Sequence, residues 1–469
     1  MMSLCRVQAS RPRLLQWRTL AAATSRTVSK EPSDHLSGAL SFEDPSAFRV
    51  KSFGELLRAM GVFCFCSFPV LVNNCGKLLS VARSLLGRRG FSLLLRPTVY
   101  AQFVAGESES EIAQSMRKMS SLGLRPMLAV PIEEDLGESN GLVFVTTREK
   151  RYDDNMEAML ECVRISHSTI CSKDPMMQLK VTALLSPELC VKLTALLAKQ
   201  PYDLNLVVRA LDGEPISFPG LDERECAHFL RALKRLNTIA EVQASVNKVR
   251  VLVDAEYTYM NPALSLVTMA MMKKFNKDGA WIWNTYQCYL KESRTLVSEA
   301  LRLSRDEGFC LGVKLVRGAY MDKERKLAEK EGRQDPVHSS WEDTNDSYNA
   351  SLNVMLDAIS QNPERYRIIV ASHNEESVRL AGKRITELGI DKGVGSVCFG
   401  QLLGMCDHVS LTLAKEGYVV YKSVPYGSVE DTLPYLVRRA QENRTVLQGI
   451  RKERDLLKQE IYRRLRRRS

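Results

Sequence analysis

The chain has 469 residues, 45% hydrophobic and 26% charged, proportions that exclude a disordered, collagenous or coiled-coil protein. The net charge of +11 belongs to the ends, where Arg6, Arg11, Arg13, Arg18, Arg26 and Lys30 precede the first acid, Glu31, and Arg463, Arg464, Arg466, Arg467 and Arg468 close the chain. The body between them is neutral, which sets nucleic acid aside as a partner, because such binders carry their basic stripe on the fold.

Residues 1–30 combine those arginines with Ser3, Ser10, Ser25 and Ser29 and only scattered apolar residues, the composition of a mitochondrial transit peptide and not of a secretory signal. Residues 31–96 read as an N-terminal arm. Its polar start holds Pro32 and Pro45, and 59–72 (AMGVFCFCSFPVLV) is the most apolar run in the chain. That run is too short to cross a bilayer. It is read as a helix packed on the main domain, with a membrane-surface element as the alternative. The twelve cysteines are scattered with no C-x-x-C pair. Free thiols of this kind suit a reducing compartment such as the mitochondrial matrix, and no metal site is expected.

Across 97–450, eight β-rich runs alternate with amphipathic helical segments: 124–130, 177–183, 249–254, 280–286, 311–317, 367–372, 395–400 and 417–422. Repeated βα units of this kind make a parallel sheet. The fold expected is α/β, a (β/α)8 TIM-like barrel with an N-terminal helical arm. An open doubly wound sheet is the alternative, but its G-x-G-x-x-G fingerprint is missing, since Gly393 and Gly395 are followed by Cys398. Residues 451–469 form a basic C-terminal tail, read as a solvated end with attraction to anionic lipid as the alternative.

Barrel chemistry sits where the strands end. Those positions hold Lys180, Asp254 with Glu256, Gln287, Arg317 with Tyr320, His373 with Asn374, Gln401 and Ser423. Lys180 interrupts an apolar run, so it is expected either to meet an anionic ligand or to pair with an acid such as Asp254. In YLVRRAQEN (435–443), Tyr435, Arg438 or Arg439, and Glu442 share one helical face behind Pro434. Adjacent arginines can clamp a carboxylate through forked hydrogen bonds; the plain alternative is a surface ion pair with Glu442. In KLVRGAYMDKE (314–324), Gly318 and Ala319 would let a ring or a phosphate approach the backbone.

In this order, LKVTAL, VDAE, QCYLK, KLVRGAY, ASHN, QLLGM, SVPYG and YLVRRAQEN resemble the proline dehydrogenase family over about residues 97–450. The resemblance implies a flavin-dependent barrel. Arg438, Arg439 and Lys180 would hold the substrate carboxylate, Asp254, Tyr320, Leu402 and Tyr435 would shape the pocket with Glu442 beside them, and Glu133 or Glu134 would act as a gate. FAD would lie on Gln287, Lys314, Val316, Gly318, Ala319 and Tyr320, with Thr344, His373 and Asn374 toward its adenine end.

Two departures matter. Lys314 stands where bacterial relatives carry Arg, which keeps the charge and loses the planar fork. Ser423 stands where enzymes that oxidise proline carry Tyr, and a serine there is similar to the hydroxyproline dehydrogenase branch. The resemblance therefore implies oxidation of trans-4-hydroxy-L-proline by hydride transfer to flavin N5, giving 1-pyrroline-3-hydroxy-5-carboxylate. Electrons would pass to ubiquinone, at the matrix side of the inner mitochondrial membrane. The rivals are a dehydrogenase acting mainly on L-proline and, from another class, a membrane-surface or nucleic-acid-binding protein that uses the basic termini.

Overall fold

All eight β-rich runs become strands in the computed structural model, which describes residues 40–130, 132, 145–168, 173–242, 248–445 and 447–466. They are β1 (Leu124–Ala129), β2 (Met176–Leu179), β3 (Arg250–Val253), β4 (Ile282–Gln287), β5 (Leu311–Val316), β6 (Tyr366–Ala371), β7 (Val397–Leu402) and β8 (Val420–Pro425). Each pairs in parallel with the next and β8 returns to β1, closing the (β/α)8 barrel. The register sets Met127 of β1 against Met176 of β2 and Ser423 of β8. The expected transit segment 1–30 lies outside the described residues.

Alternation along the strands sends every second side chain inward. The inward residues form layers. Midway, Met127, Met176, Leu252, Trp283, Ile369, Cys398 and Tyr421 make an apolar plug. Trp283 fits only because β5 offers Gly312 beside it, where a Cβ would lie 2.4 Å from the indole. At the strands' N-terminal end, Asp174 pairs with Arg250 at 2.9 Å and Arg125 at 3.1 Å. Beyond the plug, toward the C-terminal end where such barrels carry their sites, the inward side chains turn polar.

The arm does not form the single apolar helix expected. Ser52 and Glu55 make a capping box that starts α1 (Phe53–Cys66). Pro69 then opens a separate α2 (Pro69–Asn73), followed by α3 (Cys75–Leu95), which kinks at Gly87. Proline cannot continue the preceding helical hydrogen bonds, so the 59–72 run breaks at Pro69. One face of α1 sends Leu56, Ala59 and Phe63 into the main core. Phe68, Val70, Leu85 and Leu93 of this arm stay 59%, 73%, 79% and 77% exposed. Among the described residues, no helix is long and apolar enough to cross a membrane, and no disulfide links the cysteines.

Five further helices matter to the site: α4 (Trp341–Gln361), α5 (Glu375–Glu387), α6 (Asp407–Lys415), α7 (Leu433–Thr445) and α8 (Leu447–Arg466). A buried ion cluster joins several of them. Lys422 of β8, only 1% exposed, pairs with Asp407 at 2.8 Å and donates to the Met405 carbonyl at 2.7 Å. Lys51, ahead of α1, pairs with the same carboxylate. Glu453 of α8 accepts the backbone N–H groups of Cys406 and Asp407, both at 2.8 Å. Arg463 and Arg464 of the basic tail pair with Glu460, and Arg464 also donates to the Phe48 carbonyl at 3.2 Å.

Burial pushes the Asp407 carboxyl up, but Lys422 and Lys51 outweigh it and hold the group below its ordinary 3.8. A depressed carboxylate stabilises the fold above its unfolded value, and that contribution fades as pH falls toward the folded one. Asp407→Asn strands the buried Lys422 ammonium and the half-buried one of Lys51 and should cost about 3–5 kcal/mol in urea unfolding at pH 7. The gap to wild type should hold down to pH 5 and narrow below about pH 4. A loss under about 1 kcal/mol at pH 7 would show that the cluster is dispensable.

Candidate functional site

The polar layer above the plug is built by period-two placement on three strands and the residue after a fourth. Gln178 lies on β2, Lys314 on β5 and Ser423 on β8, and Asp254 directly follows β3. Lys314 Nζ pairs with Asp254 Oδ1 at 2.6 Å and donates to Gln178 Oε1 at 3.3 Å. Gln178 Nε2 donates to Ser423 Oγ at 2.6 Å. Because β1 separates β2 from β8, that last bond runs across the barrel interior.

Two expectations change here. Asp254 takes Lys314, not Lys180, as its ion-pair partner. Among the described residues, the charge of Lys180 also acts on Glu256, a buried carboxyl that accepts from Thr182 Oγ1 at 2.6 Å. Burial pushes Glu256 up, against the hydrogen bond from Thr182. Ser423 lies inside β8 and not beyond it, because pairing with β1 continues to Pro425.

The helix after β8 brings the expected arginines to this rim. Pro434 occupies the first turn of α7, where a missing N–H costs nothing. The Arg439 guanidinium lies 4.8 Å from the Tyr435 ring centroid. Arg438 lies close enough to Tyr320 for its charge to oppose the burial that pushes that phenol up. Tyr320 packs on Tyr257 with centroids 4.3 Å apart. Leu402 at the end of β7 joins the apolar cluster of Tyr435 and Leu436. Glu133 and Glu134 lie outside the described residues, and so does the side chain of Glu442 within α7.

On the β4–β6 side, Gln287 donates to the Glu256 carbonyl at 2.7 Å. Val316, Gly318 and Ala319 follow one another out of β5. Gly318 has φ +124°, and a Cβ there would fall 1.6 Å from the Tyr289 ring, so Tyr289 packing by itself requires the glycine. Thr344 bonds to the Ser340 carbonyl at 3.2 Å in the first turn of α4. Asn374 caps α5, accepting from the Ser377 N–H at 2.9 Å. Gln401 points away from the rim and accepts from Ser410 Oγ at 3.0 Å, so it leaves the candidate set.

Arg317 is the informative cation of this side. It bonds to Asn345 at 2.7 Å, Ser372 at 2.6 Å and Ser377 at 2.9 Å and stacks on Tyr348 at 4.3 Å. Burial weighs against its charge. Among the described residues no carboxylate stands within ion-pair distance, which leaves a positive charge suited to an anionic group. Among the same residues, no group of three His, Cys, Asp or Glu side chains is placed to hold a metal ion.

Sequence reasoning missed Gln178. It is a neutral amide inside MQLKVTAL, and only the alternation that puts 176, 178 and 180 on one side of the strand could have marked it.

A family model described as proline dehydrogenase matches residues 140–452. A hydroxyproline dehydrogenase of Xenopus laevis is 54% identical over 97% of this chain and 97% of its own length. The hydroxyproline dehydrogenase of Homo sapiens is 45% identical, covering 91% of this chain and 94% of that protein. Proline dehydrogenase 1, mitochondrial, of Homo sapiens is 33% identical over 90% and 88%. Among solved structures, proline utilization A from Bdellovibrio bacteriovorus, inactivated by N-propargylglycine, shares the fold with a TM-score of 0.56 at 20% identity. That match covers 86% of this chain and about a third (36%) of the larger protein.

His373 Nε2 accepts the Leu402 N–H at 3.1 Å, so the ring proton resides on Nδ1. Burial, then Lys422 and Arg439, push this imidazole down to about 3. His373 should therefore stay neutral from pH 5 to 9 in nitrogen-15 spectra, its signal assigned by loss in His373→Gln. Titration near pH 6.5 would contradict the desolvated, cation-flanked placement.

Proposed function

The chain belongs to the proline dehydrogenase family, and on that premise we propose that it oxidises trans-4-hydroxy-L-proline to 1-pyrroline-3-hydroxy-5-carboxylate with FAD, in mitochondria. The observation that carries this reading is the guanidinium pair of α7 at a rim whose inward polar layer ends in the small hydroxyl of Ser423. Support for the substrate comes from relatives named hydroxyproline dehydrogenase, which are more similar over the whole length than those named proline dehydrogenase.

In this reading Arg438, Arg439 and Lys180 hold the substrate carboxylate, since forked guanidinium groups match its two oxygens. Tyr320, Leu402 and Tyr435 wall the ring, and Asp254 keeps Lys314 in place. FAD fits the β4–β6 side. Arg317 suits a diphosphate, and Lys314, with two of its three donors used, keeps one for a ring acceptor. Gln287, Val316, Gly318, Ala319, Tyr320, Thr344, His373 and Asn374 complete that wall. When bound, the flavin supplies the two-electron acceptor. The chain's own residues fix the ring carbon next to nitrogen within about 3–3.5 Å of that acceptor and exclude water. Electrons then pass to ubiquinone.

Replacing Arg438 or Arg439 with Met should cost about 2–5 kcal/mol in kcat/KM while flavin content holds. Near-normal kinetics in both variants would remove the carboxylate assignment. Ser423→Tyr should project a phenol into the space of the 4-hydroxyl and lower hydroxyproline kcat/KM by roughly 10- to 200-fold relative to that for proline. Equal losses on both substrates would show that residue 423 supports the fold and does not read the ring.

The arm gives the inner-membrane assignment a physical basis. From 56 to 106 the chain holds six basic residues and no acid. Phe68, Val70, Leu85 and Leu93 project from the same stretch into solvent. Arg83 and Arg88 are partly offset by Glu430 and Arg96 is paired with Glu107 and Glu111, so the surplus rests chiefly on the exposed Lys77 and Arg89. Exposed apolar side chains beside excess positive charge suit an anionic lipid surface, each charge contributing about 1 kcal/mol there. Phe68→Ser with Leu85→Ser and Leu93→Ser should abolish co-flotation with cardiolipin-containing vesicles. Flotation equal to wild type would rule the arm out as the docking face.

A further inference from the structure

The hydrogen bonds of the inner polar layer have a direction, and it runs from Lys314 to Ser423. An ammonium has donors only. The Gln178 amide atom that faces Lys314 at 3.3 Å must therefore be Oε1, which settles the otherwise ambiguous orientation of the amide. Its Nε2 then faces Ser423 at 2.6 Å and can only donate. Ser423 Oγ is thereby an acceptor toward Gln178, and its own proton is not used in that bond. Among the described residues no acceptor takes that proton. The side chain points into the barrel's upper layer, below the rim that holds the arginine pair.

We propose that Gln178 is a specificity-positioning residue: held by Lys314, it turns the Ser423 hydroxyl into a donor for an acceptor oxygen on the substrate ring. This rests on the reading of the site as one for hydroxyproline and adds how the hydroxyl is recognised. A small residue at 423 merely leaves room, and room separates ring analogues weakly. A buried donor that goes unsatisfied without the ring oxygen separates them further. The origin of the direction is electrostatic: the Asp254–Lys314 pair at 2.6 Å orients a neutral amide on another strand, and that amide orients a hydroxyl on a third.

The test uses a ligand that can only accept at the same ring position, 4-oxo-L-proline, as an inhibitor of the holoenzyme. Gln178→Glu replaces the donating amide nitrogen with a carboxylate oxygen, which takes the Ser423 proton and leaves lone pairs facing the ring. The ratio of the inhibition constant for 4-oxo-L-proline to KM for L-proline should rise about tenfold or more. Ser423→Ala should raise the same ratio, and adding Gln178→Glu to it should give no further rise. That non-additivity is something a packing role would not produce. Flavin content reports whether each variant folds, and if Gln178→Glu loses flavin, Gln178→Met carries the test: it frees the Ser423 hydroxyl to rotate and should raise the ratio by a smaller factor.

An unchanged ratio in the Gln178 variants, or additive effects of the two substitutions, would overturn the proposal. A wild-type enzyme that oxidises hydroxyproline yet does not bind 4-oxo-L-proline would overturn it alone. A wild-type enzyme that does not oxidise hydroxyproline would overturn the substrate reading and the proposal with it.

Discussion

A lysine inside a barrel has to be paired, and the upper half of this barrel is arranged around Lys314. Its ammonium is taken by Asp254 on one side and by the Gln178 carbonyl oxygen on another. Desolvating an ammonium costs several kcal/mol unless both charge and hydrogen bonding are met, so these partners are not interchangeable with apolar ones. The apolar plug of Met127, Met176, Leu252, Trp283 and Tyr421 below leaves the polar layer only one open side, toward the rim. The open side of the polar layer is thereby the one to which α7 delivers its arginines.

A second constraint fixes how that helix is carried. Asp407 stands between Lys422 of β8 and Lys51 of the arm, while Glu453 of α8 binds the start of α6. Val62 and Cys66 of α1 and Leu436 of α7 share one apolar cluster. The arm is thus bound to the rim that carries the arginine pair, through ions on one side and through packing on the other. Its outer face keeps exposed apolar and basic residues.

Much of the barrel was legible because parallel strands are buried on both faces and read as short Val-, Ile- and Leu-rich runs. The arginine pair was legible because a helical period places Tyr435, Arg438 and Arg439 together. What escaped depended on contacts distant in sequence. Lys422 reads as the end of a strand, but Asp407 and the Met405 carbonyl take its ammonium and β8 continues through it to Pro425. Gln178 reads as an isolated polar residue until Lys314, 136 positions away, gives its amide a direction. Gln401 reads as a rim residue, but strand alternation turns it outward to Ser410. Gly318 reads as room for a ligand, and the Tyr289 ring supplies a sufficient reason for it.

The central claim is that the rim clamps an imino-acid carboxylate while the inner layer reads a ring hydroxyl. Anaerobic mixing of the purified protein with trans-4-hydroxy-L-proline or with L-proline, followed at the flavin absorbance band, tests both halves in one measurement. The account predicts that both compounds bleach the band, with hydroxyproline at least about tenfold more efficient in limiting rate over apparent Kd. A protein without a flavin band, or one reduced more efficiently by L-proline, would contradict it.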